Sequence, residues 1–336
     1  MDADYHHVDI TFTNNDGTSD SEPSQAITVN KGTLNETFSE IDGEKAYYTY
    51  TFVTYDELGN KGREYIYKVS VKTTVSNIPK GFVEVKGTTI TGNESWTPAS
   101  KVFVSGRSIT IPDMYVCDHE VTRGGFKEVM GTDPSVARAY DKDGNELTGD
   151  AVLNNPVGHV DWNDAIIYCN KLSLKENLTP CYYVNGLPDW DTDRVSSDWD
   201  VLTYDKEADG YRLPTEAEWE WLARGGENYT YAGSDALDDV AWYAGNNDKG
   251  TIEVKTKQAN GYGLYDMSGN VFEWCYDWYG TVSSSTADTG VSSGSNRVRR
   301  GGSWNYVASY CAVSYQYNNP PYNRGDDYGF RVVRKN

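Results

Sequence analysis

The sequence predicts an α+β chain in two parts: a small all-β domain first, then a larger, loop-rich domain with little helix. Three observations predict this. The chain has 336 residues, more than one typical domain needs. Its first 76 residues are dominated by alternating Tyr-, Val- and Thr-rich runs. Beyond Phe82 only two stretches carry a helical period, while 32 glycines and 27 tyrosines across the chain imply many turns.

The elements follow in order. "YHHVDITFT" (5–13), "SQAITVN" (24–30), "KAYYTYTFVTY" (45–55) and "EYIYKVSVKTTV" (64–75) read as strands. "DELGNKG" (56–62) reads as a turn that makes the last two a hairpin. Four strands in so short a span suit an immunoglobulin-like β-sandwich over 5–76. Residues 77–81 then read as a linker, and 82–336 as the second domain. The first helix is expected in 161–177, where Ala165, Ile166, Cys169 and Leu172 share a face. The second is expected in 213–226. There Thr215 and Glu218 form a capping box, Trp219 and Leu222 share a side, and Gly225 supplies a left-handed stop.

Charge and composition exclude several functions. A formal charge of −20 repels nucleic acid and anionic membranes, and the longest basic cluster is Arg297, Arg299 and Arg300. No run of apolar residues is long enough to span a membrane. The opening "MDADYHH" reads as a start left after a removed segment. Five cysteines without a CxxC pattern argue against zinc and against a dense disulfide framework. His119 lies beside Cys117 and Glu120 in "CDHEVT", but on a strand Glu120 points away from the other two, so a structural role is expected. The acidic run "DWDTDRVSSDWD" (189–200) reads as a solvated loop.

Several stretches are distinctive together: "MYVCDHEVTRGGFKEVMGTDPS", "NNPVGHVDWNDAIIYCNKLS", "YRLPTEAEWEWLARGG", "NGYGLYDMSGNVFEWCYDWY", "RRGGSW" and "YGFRVVR". In order and spacing they resemble the formylglycine-generating (sulfatase-modifying factor) family over 82–336. The resemblance implies a variant of the C-type lectin fold, with two helices and a small twisted sheet. It also implies an oxidase that holds copper with two cysteines five positions apart, just after "GGS[YW]". Here the second position is Cys311 and the first is Tyr306. A phenol does not replace a soft thiolate for Cu(I), so no copper is expected. In "YDMSGNVFEW", Asp266 and Glu273 are hard oxygen donors flanking a tight turn that can present the carbonyls of Gly269 and Val271. Mixed carboxylate and carbonyl oxygens are calcium chemistry, and these four positions match a calcium site of the family's enzymes, so a structural calcium is expected.

The closing segment 305–328 is unlike the rest. It holds six tyrosines and four asparagines and no Lys, Glu, Trp, Met, Leu or Ile. That is the composition of antibody binding loops, where Tyr gives contact area at low entropy cost and Asn gives adaptable hydrogen bonds. The pattern "RGGSWN…C.VS…NNP..NR….GFR" resembles the variable proteins of diversity-generating retroelements, which randomise adenines in AAY codons. That process yields Tyr, Asn, Asp, Ser and Gly but not Lys, Gln, Glu, Trp or Met. Only Gln316 in the segment departs from it. The expected ligand-binding residues are Tyr306, Val307, Tyr310, Tyr315, Tyr317, Asn318, Asn319, Tyr322, Asn323, Asp326 and Asp327. The tyrosines would anchor and the Asn and Asp side chains would orient a macromolecular ligand, a protein. The expectation is a non-enzymatic receptor or adhesin at the cell surface or outside the cell, lipid-anchored through the removed segment. The copper-dependent oxidase is the alternative.

Overall fold

The computed structural model describes residues 78–188 and 202–336 in full, together with the backbone of 7–13, 48–55 and 61–69. The chain divides into two compact units, 1–77 and 78–336. In the first unit His7–Thr13, Tyr48–Tyr55 and Lys61–Val69 form one antiparallel sheet in that order, and the expected hairpin is its second pairing. The expected strand at 24–30 lies outside the described residues, as does the acidic run 189–200. The described strands make one sheet, so the second sheet that an immunoglobulin-like sandwich requires is not among them.

In the second unit helix α1 spans Arg123–Met130, α2 Trp162–Lys175, α3 Glu216–Arg224, and α4 is the single turn Leu237–Val240. Both expected helices form, and α3 starts at its expected cap. Asp161 and Asp164 close a capping box on α2, Thr215 and Glu218 close one on α3, and Gly225 ends α3 in the left-handed region at φ 61°. Helix α1 was not expected, because "RGGFKEVM" carries two glycines in its first turn. Thr122 caps it, and the Phe126 ring stacks on Tyr168 of α2 at 5.6 Å, so packing decides what propensity does not.

Two four-stranded sheets frame the core. One runs Tyr211–Arg212, Val333–Lys335, Met114–Cys117, Phe82–Val85. The other runs Tyr317–Asn319, Arg297–Arg300, Phe272–Trp278, Tyr328–Gly329. The closing segment therefore supplies both edge strands of the second sheet, while the chain's last strand crosses into the first. The turn that launches the segment needs glycine. Gly302 has φ 75°, and a Cβ there would sit 2.7 Å from Cys311 Sγ.

Candidate ligand-binding face

The platform is one face of the second sheet. Residues alternate along each strand, so Phe272 and Trp274 project on the same side as Arg297 and Arg299. Phe272 is fully buried, and two tyrosines of the segment pack on it. Tyr306 meets it edge-on at 5.0 Å, and Tyr317 stacks on it at 5.3 Å. Tyr310 extends the cluster, at 4.9 Å from Tyr306, 5.9 Å from Tyr317 and 4.6 Å from Tyr315. Four of the expected tyrosines thus form one contiguous, half-buried aromatic layer. Val307 and Tyr322 stand clear of it, 59% and 62% exposed.

Two of its phenols are held toward the neutral form. Burial, followed by the Tyr317 hydroxyl, raises the Tyr306 phenol. Burial and then the Tyr310 hydroxyl push Tyr315 up to about 12. Lys101 Nζ lies 5.8 Å over the Tyr315 ring. The face consequently offers phenol hydroxyls and ring faces, the mixture that contacts protein surfaces with few rotamers to freeze.

The Asn and Asp side chains divide. Asn318 Oδ1 accepts from Asn296 at 2.6 Å, and Asn319 Oδ1 accepts from Arg299 Nη2 at 2.5 Å. Asn323 is half-buried, and the Asp326 carboxylate is exposed, 3.7 Å from His159 Nδ1. Asp327 corrects the expectation. It is buried, its carboxylate accepts from Ser303 Oγ at 2.6 Å, and its carbonyl accepts from Phe272 N at 2.8 Å. It pins the frame, with its charge turned inward.

Two arginines escaped the sequence reading. Arg299 lies under the aromatic layer. Arg324, inside the segment, bridges Asp161 at 3.0 Å and Asp164 at 2.5 Å, the two capping carboxylates of α2. The backbone joins the same region, with Trp162 N donating to Pro321 O and His159 N to Gly325 O. The 320–326 loop is thereby docked on the N-terminus of α2. This docking was not visible in sequence, because the arginine that joins the two aspartates lies 160 positions from Asp164.

Comparisons with known proteins agree with this frame. The sequence profile of the sulfatase-modifying factor enzyme 1-like domain matches residues 67–336. The chain belongs to that family. It superposes on Treponema denticola variable protein 1 with a TM-score of 0.66 and 36% identity, covering 76% of this chain and 95% of that one. It is 37% identical to the chaperone protein LppX of Paenibacillus barcinonensis, over 70% of this chain and 85% of that protein. It is also 32% identical to the formylglycine-generating enzyme of Mus musculus, over 54% of this chain and 44% of the enzyme. The chain therefore spans less than half the length of that enzyme. The resemblance to retroelement variable proteins is met by the first of these structures.

Within this sulfatase-modifying factor frame, the copper positions do not suit copper. Tyr306 turns its ring into the aromatic layer. Cys311 is fully buried in a separate apolar cluster with Leu237, Val240 and Ala241, and burial pushes its thiol up to about 12. A neutral, desolvated thiol without a second soft donor is a poor copper ligand.

Asp266, Gly269 and Val271 lie in the turn that leads into the strand Phe272–Trp278, and Glu273 lies in that strand. Asp266 is buried, accepts from Lys255 N at 2.8 Å, and is lifted to about 6 by burial. Glu273 holds Arg331 at 2.8 Å and Trp219 Nε1 at 2.7 Å. Glu120, which the sequence reading had turned away, is buried beside them and accepts from Val271 N and Asn270 Nδ2, both at 2.9 Å. Three buried carboxylates share one guanidinium here, and burial raises the Glu120 and Asp266 carboxyls; among the described residues no group of three or more His, Cys, Asp or Glu side chains is arranged to hold a metal ion. His119 Nδ1 bonds the Asp118 carboxylate and lies 3.8 Å from Cys117 Sγ. Burial opposes its charge, but hydrogen bonds to Asp118 and Cys117 outweigh that and raise it to about 9.

Proposed function

We propose that this chain is a non-enzymatic ligand-binding protein, displayed at the cell surface, whose face at 305–328 is diversified by a retroelement and binds a protein. The observation that carries the reading is the contiguous tyrosine layer. It is built from the one segment with retroelement-compatible composition, on a frame similar to a variable protein. A fold shared with a chaperone and an oxidase does not set function; the chemistry of the face does. The tyrosines supply the anchoring area, while Val307 and Tyr322 reach furthest into solvent. The test is the coding sequence in many strains of the source organism. Differences concentrated at 305–328, beside a near-identical repeat and a reverse-transcriptase gene, are expected. Strains that differ elsewhere yet share 305–328 unchanged would end the reading.

The oxidase remains the second reading, because formylglycine-generating enzymes are among the relatives. Incubating the chain with copper and a cysteine-containing sulfatase peptide decides it: aldehyde formation overturns the receptor reading. A structural calcium belongs to the same proposal. It would rest on Asp266 and the carbonyls of Gly269 and Val271, with Glu273 shared with Arg331. Calcium at a hundredfold excess over its dissociation constant should then raise stability by about 2.7 kcal/mol. A melting temperature that neither calcium nor a chelator moves rejects the site.

A further inference from the structure

Arg299 is fully buried, yet no carboxylate forms an ion pair with it among the described residues. Its guanidinium carbon lies 3.3 Å from the ring centre of Tyr328, 4.7 Å from Phe272, 5.1 Å from Tyr317 and 5.3 Å from Trp274. The Asp327 carboxylate acts on it only through space and is already bonded to Ser303. One nitrogen, Nη2, donates to Asn319 Oδ1; Nε and Nη1 have no acceptor. Burying a charge in this state is costly, and aromatic faces recover part of that cost. Two of the four rings, and the single acceptor, come from the closing segment.

We infer that Arg299 is a specificity-determining residue of the face: it restricts positions 317, 319 and 328 to side chains that offer a ring or an acceptor oxygen, and favours an anion at 319. The segment's freedom is then unequal. Positions 307 and 322 are open to any residue, because nothing beneath them depends on their chemistry. Positions 317 and 328 must cover a cation, and position 319 must bond it. An added carboxylate on a chain of charge −20 would ordinarily be unfavourable. At 319 it completes an ion pair.

This inference rests on the variable-face reading for its meaning, but its test needs no ligand. Chemical denaturation of the full chain is measured for N319D, N319L, R299M and the two double variants. In the arginine background N319D should shift the folding equilibrium toward the native state, and N319L should shift it at least about tenfold the other way. In the R299M background both shifts should shrink or reverse, N319D becoming unfavourable. The gain from N319D should be present at pH 7 and lost as pH falls through the paired carboxyl's lowered pKa. A merely structural asparagine would give neither the sign reversal nor the pH dependence. Equal effects of N319D in both backgrounds overturn the inference. If R299M fails to fold, the opposite directions of N319D and N319L beside Arg299 still decide, and equal directions overturn it. Invariance of 305–328 among strains would end the receptor reading and leave this cycle untouched.

Discussion

Arg299 and Arg300 are neighbours on one strand, and both are fully buried, but they live in opposite chemistry. Arg300 points to the helix side, where it holds Glu216 at 2.9 Å, Glu220 at 2.6 Å and the carbonyl of Val313 at 2.7 Å. Glu220 also holds Arg224 at 2.7 Å, so two arginines and two glutamates close a neutral network. Arg299 points to the segment side and is covered by rings. The difference teaches where change is tolerated. A matched ion network fixes one arrangement, because any missing member strands a buried charge. A ring cover asks only for polarisable faces, which several residues supply.

The largest test of this contrast removes each guanidinium. R300M leaves Glu216 without its partner and should cost about 3–5 kcal/mol in chemical denaturation. R299M gives up the Asn319 bond and the guanidinium's ring contacts but also removes an unpaired buried charge, and should cost about 1 kcal/mol or less. Equal costs would break the comparison.

A smaller effect separates the layer from its outliers. Y317A removes a ring stacked on Phe272 and lying over Arg299, and should cost about 2–4 kcal/mol. Y322A, at an exposed position, should change stability by less than about 0.5 kcal/mol. On the proposed reading it should nonetheless weaken ligand capture, which a binding titration would register once a ligand is in hand.

The smallest effect concerns the third arginine. Arg324 is partly exposed, and its pairing with Asp161 and Asp164 is correspondingly weaker. Burial, and then the Asp164 charge, lifts the Asp161 carboxyl from its ordinary 3.8 to about 6. An acid raised on folding is penalised when charged. Its site therefore gains stability as pH falls from about 6 toward 4, and loses it on the way back up. D161N keeps a competent helix cap and should flatten the stability profile across that window. A slope that survives D161N places the titration elsewhere.

Sequence reading reached the local devices because their partners are close in the chain. The apolar period of Ala165, Ile166, Cys169 and Leu172 and the capping box from Thr215 to Glu218 are short-range signals, and both helices form there. The tyrosine composition of 305–328 was equally plain, as was the frame around it. Helix α1 was hidden by its two glycines, and the inward turn of Asp327 depends on Ser303, 24 positions earlier. The partners of Glu120, Asn270 and Val271, were not visible because they lie about 150 positions away.

The sequence by itself determined the two helices, the cap of α3, the hairpin, the family frame and which segment is chemically unusual. These follow from short-range hydrogen bonding, periodicity and composition. Only the tertiary structure decided that this segment forms both edges of one sheet, that its tyrosines close over Phe272, and that adjacent arginines part company. The physical reason is alternation. On an extended strand one position flips a side chain to the other face, and what waits on each face arrives from elsewhere in the chain: α3 with its glutamates on one side, the closing segment with its rings on the other.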